Sequence, residues 1–250
     1  GCRRPGDFSI PDILARHSLA VLGGDAGEVV RGLQAPADRR EDFEEVIEIA
    51  EGVPCLQRFD IGGGLLVSYH PGMEAPTMQD YAALLRHRFP ALFDGTFQLI
   101  TEFGRWVYAH NGWTISRVEY VKRDEKLSTA MIHVGADLLL RKCYRPEEWH
   151  HEISVAGPDG RLKNGLDPRP YTIAGPLCFA GDLIAREIRL PPVQEGDFLI
   201  IHDTGAYTLS MWSRYNSRQI PRVVGYTGEG DHFEVLRERE SLEQVVAFWS

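Results

Sequence analysis

The sequence predicts a fold of class α/β plus β: an α/β segment followed by a β-barrel or sandwich domain. Three observations carry this. Helix and strand periodicities alternate between residues 41 and 112; short β-rich runs separated by turn residues follow from residue 113; a lone amphipathic stripe closes the chain.

Residues 1–40 are rich in Gly, Pro, Arg and Asp and hold one apolar patch, HSLAVLGG, that suits a short strand; they stay an unassigned segment. From Glu41, Phe43, Val46, Ile47 and Ala50 recur at helical spacing, and Gly52 sits where that helix would stop. CLQRFDI then reads as a strand running into Gly62, Gly63 and Gly64. A second helix is predicted over about 77–89, with Thr77 as cap, Asp80 in its first turn, and Tyr81, Leu84, Leu85 and Phe89 on one face. FQLITE is the next strand, so residues 41–112 follow the order expected of parallel strands joined by helices. In residues 113–250 the strand candidates are WTISRVEYVKR, STAMIHVG, WHHEISVAG, RPYTIAGPLC, LIAREIRLP, GDFLIIHDTG and RVVGYTG. SLEQVVAFW, with Ser241 as cap, reads as a closing helix.

A net charge of −9 argues against a nucleic-acid or anionic-membrane surface, either of which needs a basic face. Cysteines at 2, 55, 143 and 178 show no CxxC pairing and no nearby histidine at zinc spacing, so neither a disulfide frame nor a metal site is expected. No window of 18 apolar residues occurs, and GCRRPGDFSIPD lacks the apolar core of a signal peptide. A cytoplasmic protein without membrane spans is expected.

Four stretches hold candidate chemistry. Gly62–Gly64 follow a parallel strand, where glycines either let backbone N–H groups approach a phosphate or simply make a tight turn. TEFGR sets Glu102 and Arg105 around Gly104 at the next strand's end, as an active-site rim or as a surface ion pair. In GAYTLSMWSRYNSR, Tyr207 on its own is a core aromatic, and Cys178 in GPLCFAGD on its own is a packed thiol. His150 and His151, adjacent on a predicted strand, would point to opposite faces and cannot share one metal.

Together, FDIGGGLLVSY, TEFGR, GPLCFAGD and GAYTLSMWSRYNSR resemble, in order and rough spacing, the fold-type III pyridoxal-phosphate-dependent decarboxylases of diaminopimelate, ornithine and arginine, the diaminopimelate branch nearest. RVEYVK, HHEISV and RERESLEQV extend the likeness over about residues 41–250. The resemblance implies that residues 41–112 are the C-terminal βα units of a (β/α)8 barrel. It implies pyridoxal 5'-phosphate as cofactor, an amino acid as substrate, and a homodimer with its active sites at the interface. By the same resemblance, Gly62, Gly63, Gly64, Gly104, Arg105 and Tyr207 hold the cofactor phosphate, and Glu102 pairs with the pyridine nitrogen. Cys178 becomes a proton donor on a loop braced by Asp182, and Arg141, Tyr144 and Phe179 become substrate contacts.

The chain departs from that pattern in two respects. Its lysines, Lys122, Lys126, Lys142 and Lys163, all lie downstream of the glycine loop, so none matches the family's Schiff-base lysine. A (β/α)8 barrel takes roughly 250 residues, which residues 1–112 cannot supply. The expectation is a fragment or truncated form of a longer decarboxylase; the alternative is a non-catalytic homologue that binds or regulates a full-length one. Second, Phe179 stands where the family has Asp or Glu after the cysteine, and a phenyl ring cannot pair a substrate's distal ammonium.

Overall fold

The computed structural model describes residues 47, 50, 56–69, 72–226 and 232–250. The HSLAVLGG patch and most of the helix predicted from Glu41 lie outside the described residues; Ile47 and Ala50 of that helix are helical and buried. The chain divides into two compact units between His110 and Asn111.

In the first unit, β1 (Arg58–Asp60) and β2 (Gln98–Ile100) pair in parallel, Arg58 opposite Gln98 and Asp60 opposite Ile100. Between them runs α1 (Met78–Arg88), started by reciprocal capping: Asp80 N donates to Thr77 Oγ1 at 3.1 Å and Thr77 N to Asp80 Oδ2 at 3.0 Å. Its buried face, Tyr81 and Leu85, packs with Phe59, Ile61, Leu65, Phe89, Leu92 and Phe97. The short α2 (Gly104–Tyr108) follows β2.

The second unit is organised by a six-stranded sheet. Its strands are β3 (Thr114–Lys122), β4 (Ser128–Ile132), β5 (Ile153–Ala156), β6 (Arg169–Ala174), β7 (Leu183–Leu190) and β8 (Phe198–Ile201). Their order across the sheet is β5-β8-β3-β4-β6-β7, with only β4 and β6 parallel. β3 changes partner midway: Thr114–Arg117 pair with β8, and Val118–Lys122 pair with β4 across a register shift between Val118 and Tyr120. Such an irregularity bends a sheet around its core, here Val118, Ala130, Ile132, Ile173, Ile184, Leu199 and Ile201. A one-turn helix α3 (Leu140–Tyr144) leaves the sheet after β4. A hairpin of β9 (Val223–Tyr226) and β10 (Phe233–Arg237) leads to α4 (Leu242–Trp249), capped by Ser241 and Gln244. Among the described residues no helix is long and apolar enough to cross a membrane.

One expectation is corrected. His150 and His151 precede β5 instead of lying on it, because Trp149 N donates to Arg145 O and Lys142 Nζ donates to Trp149 O, so the chain is still turning at 149. His151 is buried, with Nδ1 2.8 Å from His202 O. Burial is the main reason its imidazole is pushed from 6.5 down to about 4. The folded state therefore favours neutral His151, and its contribution to stability is lost as pH falls from about 6.5 toward about 4. Urea unfolding at stepped pH should show wild type losing stability faster than His151→Gln across that window; parallel curves would refute this.

Candidate functional site

In the first unit the β1–β2 ladder extends past both strands: Ile61 N donates to Ile100 O at 3.0 Å, and Glu102 N to Gly62 O at 2.8 Å. The glycine turn and TEFGR therefore abut at the C-terminal edge of a parallel pair, the edge where α/β folds place ligands. Asp60 Oδ1 accepts from Gly62 N at 2.9 Å and starts the turn. Gly62 has φ 71° and Gly64 φ 113°, left-handed conformations that only glycine takes without strain. Gly62 and Gly63 are buried, whereas Glu102 and Gly104 are exposed and Arg105 is partly so. Gly104 N folds back onto Glu102 O at 2.8 Å, opening α2. Below this edge Phe103 meets the buried Tyr81 edge-on, with centroids 5.3 Å apart. Burial pushes the Tyr81 phenol up to about 12, and its hydroxyl has no hydrogen-bond partner among the described residues.

The donor set suits pyridoxal phosphate. The side-chain-free amides of Gly63 and Gly64 and the Arg105 guanidinium match a phosphate monoester, the amides of Gly62 and Gly104 being used within their own turns by Asp60 Oδ1 and Glu102 O. The carboxylate of Glu102, whose own N–H bonds to Gly62 O, matches a protonated pyridine nitrogen.

In the second unit the GPLCFAGD loop is built around a buried carboxylate. Asp182, 3% exposed, accepts from Ala136 N at 2.6 Å and from Leu177 N at 2.7 Å. Burial pushes its carboxyl up, while the two N–H donors pull it back. Gly135 and Gly175 make room for it: a Cβ on Gly135 would lie 2.6 Å from both carboxylate oxygens, and one on Gly175 would fall inside the carboxylate. Asp182 N and Phe179 N bond back to Phe179 O and Leu177 O, closing the turn. Cys178 is exposed at its tip, which sets aside its reading as a packed thiol. Of the two cysteines among the described residues, Cys143 is the packed one: burial pushes its thiol up to about 12, and Sγ rests 3.7 Å from Leu183 O. Phe179 stacks on Tyr144, with centroids 5.2 Å apart and planes 17° from parallel, so two of the predicted substrate contacts form one apolar platform.

The other two predicted residues of this unit meet each other. The Arg141 guanidinium lies 4.1 Å over the Tyr207 ring and 5.0 Å over Trp149, and the two rings meet edge-on at 5.6 Å. Tyr207 has φ 57°, a strained value of the kind concentrated at functional sites. Its segment is tied to the start of β3: Thr204 N donates to Gly112 O at 2.8 Å, and a Cβ on Gly112 would lie 2.5 Å from Gly205 Cα.

Several residues of this unit escaped sequence reasoning. Asp137, 1% exposed, receives Arg218 Nε at 2.9 Å, and Arg218 also donates to His133 O. A lone acid in the apolar run VGADLLL was the available signal, since a buried charge needs a partner. Trp149, Tyr215 and Asn216 carried no such signal.

Residues 105–205 match the family model described as pyridoxal-dependent decarboxylase, C-terminal sheet domain. The diaminopimelate decarboxylase of Escherichia coli (strain K12) is 33% identical over 247 residues, covering 94% of this chain and 57% of the relative. That of Archaeoglobus fulgidus is 33% identical over 228 residues, covering 89% and 50%. Among solved structures, the Helicobacter pylori diaminopimelate decarboxylase complexed with L-lysine superposes with a TM-score of 0.69 at 28% identity, covering 85% of this chain and 50% of that one. The diaminopimelate decarboxylase of Methanocaldococcus jannaschii in co-complex with L-lysine gives a TM-score of 0.72 at 28% identity, covering 90% of this chain and 48% of that one. The chain thus spans about half the length of the curated relatives it matches. With the strand-end glycine loop, the Asp182-centred cysteine loop and these likenesses in agreement, the chain belongs to the pyridoxal-dependent decarboxylase family of ornithine, diaminopimelate and arginine decarboxylases.

Proposed function

We propose that this chain carries cofactor- and substrate-binding residues of a pyridoxal-phosphate-dependent amino-acid decarboxylase. The observation that carries the reading is the pairing of Gly62 with Glu102 at one strand edge. Gly62, Gly63, Gly64, Gly104 and Arg105 hold the phosphate, and Tyr207 contributes its hydroxyl. Glu102 keeps the pyridine nitrogen protonated. When bound, the cofactor supplies an electron sink for the pair left behind as carbon dioxide departs. Arg141, its guanidinium over the Tyr207 and Trp149 rings, orients the substrate carboxylate, and Tyr144 is a further substrate contact. Cys178 delivers its Sγ proton to the carbon that lost that carboxylate, from a loop held by Asp182, and acts in a homodimer partner's site.

Phe179 narrows the substrate class. Its ring, stacked on Tyr144, offers a distal ammonium no counter-charge, and an unpaired buried ammonium costs several kcal/mol. The preferred amino acid therefore has an uncharged distal end.

The test is carbon dioxide release by the full-length gene product, supplied with pyridoxal phosphate, from amino acids with and without a distal ammonium. Release is expected, with the uncharged class preferred, and Phe179→Glu should shift the preference toward the charged class by at least about tenfold, equivalent to about 1.4 kcal/mol. No release, together with no binding of pyridoxal phosphate by calorimetry, would sink the activity. Unchanged selectivity in Phe179→Glu would sink the substrate class alone.

A further inference from the structure

The tip of the cysteine loop is held from outside by two side chains with no role in the proposed chemistry. Cys178 N donates to Asn216 Oδ1 at 2.9 Å, and Tyr215 Oη donates to Cys178 O at 2.8 Å. The N–H belongs to the peptide plane before Cys178 and the carbonyl to the plane after it. Holding both planes fixes the φ and ψ of residue 178, and with them the direction of its Cα–Cβ bond. The side chain itself stays exposed. Two bonds spent on orienting the backbone of one exposed residue fit a thiol that must point one way.

The grip is itself anchored at both ends. Arg214 forms a bidentate pair with Glu240, at 2.7 and 2.9 Å, and stacks over Phe248 at 4.3 Å. Arg218 is held by Asp137 at 2.9 Å. Between these anchors Asn216 and Ser217 take φ 56° and 52°, consecutive left-handed residues neither of which is glycine. Such conformations persist only where their surroundings over-determine them, and they collect at functional sites. Asn is the side chain that tolerates this backbone best while still offering an acceptor. The turn that holds Asp137 also gives Ala136 N to Asp182, so segments 135–137, 175–182 and 214–218 form one bonded frame behind Cys178.

We propose that Tyr215 and Asn216 are positioning residues that aim the Cys178 thiol for proton delivery. This rests on the reading of Cys178 as proton donor given above. Neither residue touches the reacting atoms; both act through the backbone of residue 178.

The test uses the full-length protein with Tyr215→Phe, Asn216→Gly and Cys178→Ala, alone and combined. Tyr215→Phe keeps the ring, and Asn216→Gly keeps the left-handed backbone, so each removes one hydrogen-bonding group and leaves the fold. Hydrogen exchange is read first. In Asn216→Gly the Cys178 amide should exchange at least about tenfold faster, while the Leu177 amide, bonded to Asp182, keeps its rate. Next, kcat for carbon dioxide release should fall roughly ten- to a hundredfold in each variant with KM within about twofold, the signature of a misplaced group. In the Cys178→Ala background the same substitutions should add nothing. An unchanged Cys178 exchange rate, an unchanged kcat, or equal losses with and without the thiol would each overturn the proposal. Full activity in Cys178→Ala would overturn the donor reading, and the aiming role with it. A protein that releases no carbon dioxide would overturn the proposed activity, and the exchange rate then decides the grip by itself.

Discussion

Gly175→Ala is expected to destabilise the protein by about 4 kcal/mol, the combined cost of overpacking and of displacing a carboxylate from two buried N–H donors. The added methyl would fall inside the Asp182 carboxylate. Either the carboxylate moves, leaving Ala136 N and Leu177 N without their acceptor, or the backbone at 175 moves and breaks its bond from Gly175 N to Asp182 O. Urea unfolding measures the loss. In an Asp182→Ala background the same substitution should cost under about 1 kcal/mol, because its steric partner has gone. An equal cost in both backgrounds would show that the glycine serves something other than this cradle. Sequence alone could see Gly175 only as half of a Gly-Pro turn signal.

Asp197→Ala is expected to cost about 3–5 kcal/mol, the range for breaking a buried ion pair from one side. Asp197 is 1% exposed and sits 2.6 Å from Lys163 Nζ, which also donates to Pro192 O at 3.2 Å. The same carboxylate oxygen accepts from Gln194 N at 2.7 Å. Removing the acid strands a cation whose side chain is only 20% exposed, along with a turn amide. Replacing both partners together, Lys163→Met with Asp197→Leu, should cost much less, since no charge is then left unpaired. Chemical denaturation of the single and double variants decides the matter. Comparable losses in all of them would mean that the ionic contact is not what holds the two turns.

These two sites mark where sequence reading reaches its limit. Elements with their own local signal were legible: α1 through Thr77 and Asp80, α4 through Ser241, and β3 to β9 through β-branched residues between turns. Elements without one were missed. β10 is exposed along its length, so FEVLR shows no alternation, and α3 is too short for a helical stripe. The predicted strand across His150 and His151 failed because a lysine far from any strand signal caps the preceding turn. In the site, residue types were readable from the four motifs. What binds them was not, since Cys178 to Asn216, Arg218 to Asp137 and Asp182 to Ala136 join positions dozens of residues apart, and no periodicity records such pairs.

The grip on the cysteine loop reads main chain only. Asn216, Tyr215 and Asp182 bond to the amides and carbonyl of residues 177 and 178, and none depends on which side chain stands at 178 or 179. Placement of the loop is therefore uncoupled from its chemical content. Exchanging the side chain at 179 leaves intact every bond of the scaffold that presents it, so single substitutions there can alter what the loop offers a ligand without rebuilding the frame behind it.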